Sequence, residues 1–287
     1  MEIDPAYKIY PTSHILFRWF CRKWALKISH AEPEKPQHPA ALLGILIHKI
    51  CEQFYDEIDL NQATLPPENH FLEIVKVLRN NMWDYRIPQD KTPIADEMLS
   101  NFAMNNAYTY RQLKASNQLE NFKPFSREEE IISPTMPIAA RIDRINKSFN
   151  GIDYKTDAMF PTVLSIPRAS LSIQDQIKFD YYSEYLLIQA VYAAILIEEK
   201  YHKLPARFIF MYLRHLNVDA STGIIPVTIT KEKIELVKSW VTQMLKDIEA
   251  DNIPSCLTKN PKACYMFNTS CQFKNKCDSI NLCIYSI

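Results

Sequence analysis

The spacing of apolar and polar residues divides the chain into a helical first part and a mixed second part. Residues 40–57, AALLGILIHKICEQFYDE, repeat apolar positions every three or four residues, which predicts an amphipathic helix. Residues 58–125 continue with less regular helical segments, broken by LPPENH and RIPQDKTP, where proline marks helix starts and stops. We interpret 58–125 as a helical insertion.

After residue 125 the pattern changes to short Ile-rich segments separated by turn residues. It predicts a meander of three strands, near 128–133, 137–146 and 150–156. A long helix then precedes two more strands, in ARFIFMYLRHL and GIIPVTITK, and KEKIELVKSWVTQMLKDIEADN is typical of an amphipathic helix. This order predicts an α/β fold with a mixed central sheet flanked by helices.

Composition favours an ordinary globular protein, and the length allows one large domain or two small ones. The chain has 287 residues, 47% apolar and 23% charged, and its 33 basic and 33 acidic residues balance. We expect one domain over 1–287, divided into an N-terminal segment (1–57), the insertion (58–125), a core (126–251) and a Cys-rich segment (252–287). Zero net charge gives no sign of a polyanionic partner, but it allows a local basic groove.

The N-terminus lacks the apolar core of a signal peptide, and no apolar run is long enough for a membrane helix. We therefore expect a cytoplasmic, reducing setting, in which the seven Cys indicate metal binding or buried thiols rather than disulfides. Five of the seven fall within the last 32 residues.

Candidate chemistry lies on two of the predicted strands. In IDYK the side chains alternate, so Asp153 and Lys155 point to one face, and Asp143 lies on the preceding strand across the Asn150-Gly151 turn. Antiparallel pairing would bring the two carboxylates together around Mg²⁺ or Mn²⁺, with Lys155 orienting water or offsetting developing charge. The alternative is a solvated strand face without function.

His48, on the helix over 40–57, is a further candidate metal ligand, with a packed core histidine as the alternative. The order of GxxxH on a helix, RIDRI, DYKT and QAVY resembles the RecB-like branch of the PD-(D/E)xK nuclease superfamily. The resemblance implies a restriction-endonuclease-like core in which His48, Asp143 and Asp153 bind metal. It also implies catalytic roles for Asp143, Asp153, Lys155, Gln189 and Tyr192, with Gln174 or Gln176 as alternatives for the glutamine.

The cysteines are similar to those of the iron–sulfur subgroup, which includes the CRISPR adaptation, AddB-type and phage exonucleases. That resemblance implies a 4Fe–4S cluster held by one early Cys and three late ones, here Cys21, Cys264, Cys271 and Cys277. Zn²⁺ also accepts four thiolates and remains the alternative.

Aromatic and basic residues alternate in FRWFCRKWALK, a mixture that suits single-stranded DNA. Arg18, Arg22 and Lys23 are therefore candidate DNA contacts; the alternative is a helix with buried aromatics and solvated cations. The sequence has no GxxxxGK[ST] motif and hence no motor of that type.

Together these features lead us to expect a metal-dependent exonuclease acting on single-stranded DNA or DNA ends, with a repair, recombination or phage role and an associated repair or recombination protein partner. Two alternatives remain: a non-catalytic DNA- or partner-binding module on the same fold, and a structure-selective endonuclease.

Overall fold

The computed structural model describes residues 8–19, 38–59, 66–157 and 161–249. In these ranges the part before the sheet is helical, with α1 (Pro11–Trp19), α2 (Pro39–Glu57), α3 (Pro67–Met82) and α4 (Thr92–Ala115). The predicted helix over 40–57 is α2, and the predicted insertion contains α3 and α4. No helix among the described residues has both the length and the apolarity needed to cross a membrane.

A five-stranded sheet forms the centre of the molecule. Its strands are β1 (Ser126–Ile132), β2 (Ala139–Ile145), β3 (Gly151–Lys155), β4 (Arg207–Tyr212) and β5 (Ile224–Thr228), and they lie in this order across the sheet. Strands β3 and β4 are parallel, whereas the other neighbours are antiparallel. The predicted mixed sheet and the antiparallel pairing of β2 with β3 are thereby confirmed.

Two long helices complete the fold, and they lie on one side of the sheet. Helix α5 (Ile173–Tyr201) follows β3 and gives the crossover that a parallel β3–β4 pair requires, while α6 (Lys231–Glu249) follows β5. Both were predicted, within a few residues at their ends. Ser172 begins α5 by accepting a hydrogen bond from the Asp175 backbone N–H, and His202 ends it in the left-handed conformation.

Each face of the sheet carries its own hydrophobic core. Alternate residues of β4 divide between the two: Phe208 and Phe210 pack with α1, α5 and α6, whereas Met211 packs with α2, α3 and α4. The fold is therefore a sheet between two helical layers, as in a restriction-endonuclease-like α/β core. The side chains of Asn101 and Asn105 on α4 donate hydrogen bonds to the backbone after β4, which fixes the second layer to the sheet.

Two glycines allow close approaches that place the site. A Cβ on Gly151, at the start of β3, would lie 2.3 Å from a ring carbon of Phe208 on the neighbouring strand. A Cβ on Gly44 of α2 would lie 3.2 Å from Thr156 Oγ1, one residue beyond Lys155. Gly44 therefore brings α2, and with it His48 one turn later, close to the end of β3.

Candidate metal centre

His48 faces the sheet from the middle of α2. Its Nδ1 lies 3.3 Å from Oδ1 of Asp143 and 3.6 Å from Oε1 of Glu128. Its ring meets the ring of Tyr154 edge to face, with 6.2 Å between the centroids. The imidazole is thus held between two acidic side chains and an aromatic one, and 26% of it remains exposed.

Asp143 lies at the point where β2 and β3 separate. The two strands pair only at Arg144–Ile152 and Ile145–Gly151. One residue further along, the Asp143 carboxylate enters the gap, and its Oδ2 accepts a hydrogen bond of 2.6 Å from the Tyr154 backbone N–H. This bond fixes one carboxylate oxygen and leaves Oδ1 directed toward His48.

Glu128 is a site residue that the sequence analysis did not identify. The register of β1 and β2 pairs Arg127 with Arg144 and Glu129 with Ile142, so Glu128 lies opposite Asp143. Its φ is +45°, a left-handed conformation that is strained for a residue with a side chain. One ligand atom from each of His48, Glu128 and Asp143 lies within 4.8 Å of the other two, the separation expected around a single cation.

Asp153 and Lys155 form the second half of the site. Lys155 Nζ lies 2.7 Å from Asp153 Oδ2 and donates a 2.9 Å hydrogen bond to Gln189 Oε1 of α5. Its distance to the Tyr185 hydroxyl is 3.5 Å, and it lies 5.2 Å from the centroid of that ring. The ammonium group is therefore fixed by one carboxylate, one amide and one phenol, and only 10% of the side chain is exposed.

The two halves interact electrostatically. Burial and the charge of Asp153 together raise the pKa of Asp143 to about 6, although His48 opposes both. Burial alone would lower the pKa of His48, but the carboxylates of Asp143, Glu128 and Asp153 outweigh it and raise this pKa to about 10. The pKa of Lys155 is raised despite its burial, chiefly by Asp153. Excess negative charge is thus concentrated at one point in the sheet.

This set of donors fits a hard divalent cation. Carboxylate oxygens and an imidazole suit Mg²⁺ or Mn²⁺, and a cation between Asp143 and Glu128 would offset the repulsion that Asp143 experiences. Asp153 stands outside the group of three, since one of its oxygens already meets Lys155. The structure places Asp153 Oδ2 at Lys155 and adds Glu128 beside His48, while the predicted role of Asp153 as a metal ligand stays a prediction.

A buried polar layer lies under the site and connects α2 to the sheet. Arg144 donates a hydrogen bond to the Tyr55 hydroxyl, and this hydroxyl donates one of 2.8 Å to Asn106 Oδ1. The Arg144 guanidinium also lies over the Tyr55 ring, 4.9 Å from its centroid. These contacts fix the helix that carries His48 against the strand that carries Asp143.

Two of the expected site residues are directed elsewhere. The Tyr192 hydroxyl is fully buried and lies 2.9 Å from His14 Nδ1 of α1. Arg18 pairs with Glu184 at 2.8 Å and lies 3.8 Å above the centroid of Trp240. The tyrosine that meets Lys155 is Tyr185, one turn before Gln189.

Several further expectations fall outside the described residues. They concern the DNA contacts Arg22 and Lys23 and the cluster ligands Cys21, Cys264, Cys271 and Cys277. Of the alternative glutamines, Gln176 donates its amide to the Leu171 carbonyl, whereas Gln189 is the one at Lys155.

Comparison with known protein families agrees with this geometry. The family model described as the PD-(D/E)XK nuclease superfamily matches residues 16–278, a range that includes every strand and the whole candidate site. No curated protein matches the chain significantly. Proteins of the matched superfamily are metal-dependent nucleases. With its match over most of the chain and its mixed sheet between helical layers, the chain belongs to the PD-(D/E)XK nuclease superfamily.

Proposed function

We propose that the chain is a divalent-metal-dependent exonuclease that hydrolyses phosphodiester bonds from the ends of DNA, with single strands as its preferred substrate. The observation that carries the proposal is the site itself. One ligand atom each from His48, Glu128 and Asp143 lies within 4.8 Å of the other two, and the Asp153–Lys155 pair is close by. The restriction to ends and to single strands rests on the resemblance to RecB-like exonucleases.

The residues divide into two roles. His48, Glu128 and Asp143 would hold Mg²⁺ or Mn²⁺, which supplies positive charge to the phosphate oxygens and makes a water more acidic. Lys155 would orient the attacking water or offset the charge that develops on the phosphate. Gln189 aims the Lys155 ammonium group by accepting its hydrogen bond, and Asp153 keeps that group protonated.

The buried Lys155 ammonium group, which lies beside Asp153, would also attract an anionic substrate that binds at the site. Burial would otherwise favour the neutral amine, yet the charges around Lys155 keep it cationic. A phosphodiester group would meet this cation on one side and the divalent ion on the other. The complete set of His48, Asp143, Asp153 and Lys155 argues against a non-catalytic DNA-binding module, which would not need all four.

We also propose a 4Fe–4S cluster bound by Cys21, Cys264, Cys271 and Cys277, with Zn²⁺ as the alternative metal. The choice of these four cysteines rests on their spacing and on their resemblance to the iron–sulfur subgroup, and four thiolates can bind either a 4Fe–4S cluster or Zn²⁺. Iron analysis and the visible absorption of anaerobically purified protein distinguish the two metals. A role in DNA repair, recombination or phage DNA processing, together with a protein partner from that process, belongs to the same proposal.

The test uses end-labelled linear DNA and closed circular DNA, each in single- and double-stranded form, with Mn²⁺ or Mg²⁺. We expect degradation of linear DNA only, fastest on single strands, and loss of that activity in Asp143→Asn and Lys155→Met. Ser239→Ala, on the exposed surface of α6, is a control that should retain full activity. Digestion of circles would favour an endonuclease, and equal rates in the parent and both site variants would refute the assigned site.

A further inference from the structure

Three tyrosines cluster on α5 within one and a half turns. Tyr181, Tyr182 and Tyr185, here called the tyrosine face, are all half-buried. The rings of Tyr181 and Tyr185 are nearly parallel, 12° apart with centroids separated by 5.9 Å, and Tyr182 meets Tyr181 edge to face at 5.4 Å. The C-terminal half of the same helix is almost entirely buried in the core. Tyr181 and Tyr185 still pack partly against this core, so the tyrosine face lies at its edge.

The tyrosine face begins at the catalytic lysine. The Tyr185 hydroxyl is 3.5 Å from Lys155 Nζ, and Tyr181 continues from Tyr185 one helical turn toward the N-terminus of α5. Burial raises the pKa of both Tyr181 and Tyr182, and the charge of Asp157, two residues beyond the end of β3, adds to the rise. A strand with one phosphate at Lys155 would have its neighbouring nucleotides beside the tyrosine face.

Among the residues that the structure describes, the cations around the tyrosine face already have partners. Lys178 pairs with Asp175 at 2.8 Å, and Arg168 makes two hydrogen bonds of 2.6 Å to the Asp180 carboxylate. Arg18 is paired with Glu184, and Trp19, which donates to the same carboxylate, meets the Tyr181 ring edge to face. This region therefore offers aromatic rings rather than unpaired positive charge, which favours recognition of bases over recognition of phosphates.

We propose that the tyrosine face is a stacking surface for unpaired DNA bases next to the bond that is cleaved. This inference rests on the proposed function and adds the part of the substrate that is recognised. Aromatic rings stack on any of the four bases, so the surface would hold a strand without reading its sequence. A duplex covers the faces of its bases within its own stack, so only an unpaired end could use these rings.

Stacking on the tyrosine face predicts how the affinity for single-stranded DNA depends on salt concentration. Contacts to phosphates release counterions and make affinity depend on salt, whereas stacking on an uncharged ring does not. Loss of a ring from the tyrosine face should therefore weaken single-strand binding by a similar factor at every salt concentration. Loss of a phosphate-binding cation would instead make the salt dependence shallower.

The test measures binding of a fluorescent single-stranded oligonucleotide to the full chain carrying Asp143→Asn, which prevents cleavage. Tyr182→Ala should lower affinity by about 5- to 100-fold, the effect of losing one base–aromatic stack, with an unchanged salt dependence. Tyr182→Phe keeps the ring and should bind within about twofold of the parent. Tyr108→Ala, on α4 in the opposite helical layer, is the matched control and should leave affinity unchanged.

A second set of probes separates stacking from a merely structural role. One abasic nucleotide is moved stepwise along the oligonucleotide from its end. At the position that meets Tyr182, the missing base should weaken binding to the parent but cause no further loss in Tyr182→Ala. Because each comparison is made within one variant, partial unfolding of that variant does not alter the ratio.

The outcomes separate this inference from the proposed function. Equal losses from each abasic position in the parent and in Tyr182→Ala would overturn the stacking surface, as would equal losses in Tyr182→Phe and Tyr182→Ala. In either case metal-dependent cleavage by the unmodified chain would leave the nuclease proposal standing. Absence of both cleavage and DNA binding would refute the two together.

Discussion

Metal binding should displace a proton from His48, and this makes affinity depend on pH in a calculable way. The neighbouring carboxylates raise the pKa of His48 to about 10, so the imidazole is protonated at neutral pH when the site lacks a cation. Only the neutral ring can bind a metal. pH 8 is about 2 units below the pKa of His48. Binding of the cation must therefore remove the imidazole proton, which costs about 2.7 kcal/mol, or about 100-fold in affinity.

Titration calorimetry with Mn²⁺ between about pH 7 and about pH 9, in buffers of different ionisation enthalpy, tests this reasoning. We expect release of about one proton per Mn²⁺ and an affinity that rises about tenfold per pH unit. His48→Gln should bind more weakly and lose this dependence, while His202→Asn, at the exposed C-terminal end of α5, should keep it. An affinity independent of pH in the parent would contradict a cation contact with His48.

The metal-free protein should become less stable as the pH rises, whereas its affinity for Mn²⁺ increases. His48 and Asp143 both have raised pKa values in the folded state. The stabilisation from a group with a raised pKa is complete below its unfolded-state pKa and is lost as the pH rises through its folded-state pKa. For His48 this window runs from 6.5 to about 10. The unfolding temperature without metal should therefore fall across it, and saturating Mn²⁺ should reverse the fall.

Three other substitutions have expected outcomes. Lys155→Met removes the buried cation that pairs with Asp153, so the free energy of unfolding in metal-free buffer should fall by about 3 kcal/mol in urea denaturation; an unchanged midpoint would contradict the assigned ion pair. Gly151→Ala places a methyl group 2.3 Å from a ring carbon of Phe208 and should cost about 1–3 kcal/mol by the same assay, partly recovered by adding Phe208→Leu. Tyr192→Phe removes the contact with His14 and should cost about 1–3 kcal/mol, while the cleavage rate per folded molecule is retained. A rate lowered by more than tenfold would instead give Tyr192 a place in catalysis.

Much of the candidate site follows from short-range regularities. The alternation of side chains along β3 put Asp153 and Lys155 on one face, and an antiparallel partner strand brought Asp143 opposite to them. The helical repeat likewise placed Gly44 one turn before His48. Each of these inferences needs only the geometry of one element or of one tight turn, which the sequence specifies locally.

Glu128 was missed in the sequence, although the register of β1 and β2 could have identified it. Counting back from the turn between β1 and β2 places Glu128 opposite Asp143, so the register contained the signal. The positive φ of Glu128 could not be predicted from the sequence, because strand prediction assumes extended residues with alternating side chains. That strain is maintained by the tertiary structure around it rather than by local preference.

The tyrosine beside Lys155 could not be chosen from helix periodicity alone. Tyr185 and Tyr192 lie on either side of Gln189 in the sequence, one turn away in each direction, and both are compatible with a shared face. Which one meets the lysine depends on how α5 is rotated against the sheet. This rotation depends on long-range packing, such as the contact between Tyr192 and His14 of α1, which joins residues 178 positions apart.

The Asp143 carboxylate accepts a hydrogen bond that a backbone carbonyl would normally accept between β2 and β3. This double role limits which substitutions can test the site. One oxygen keeps two diverging strands together through the Tyr154 amide, while the other belongs to the centre. An alanine at this position would therefore open the sheet locally and remove a ligand in the same experiment, so its inactivity would be ambiguous. Asparagine retains an oxygen for the amide, and an inactive asparagine variant with an unaltered melting temperature would assign the defect to chemistry alone.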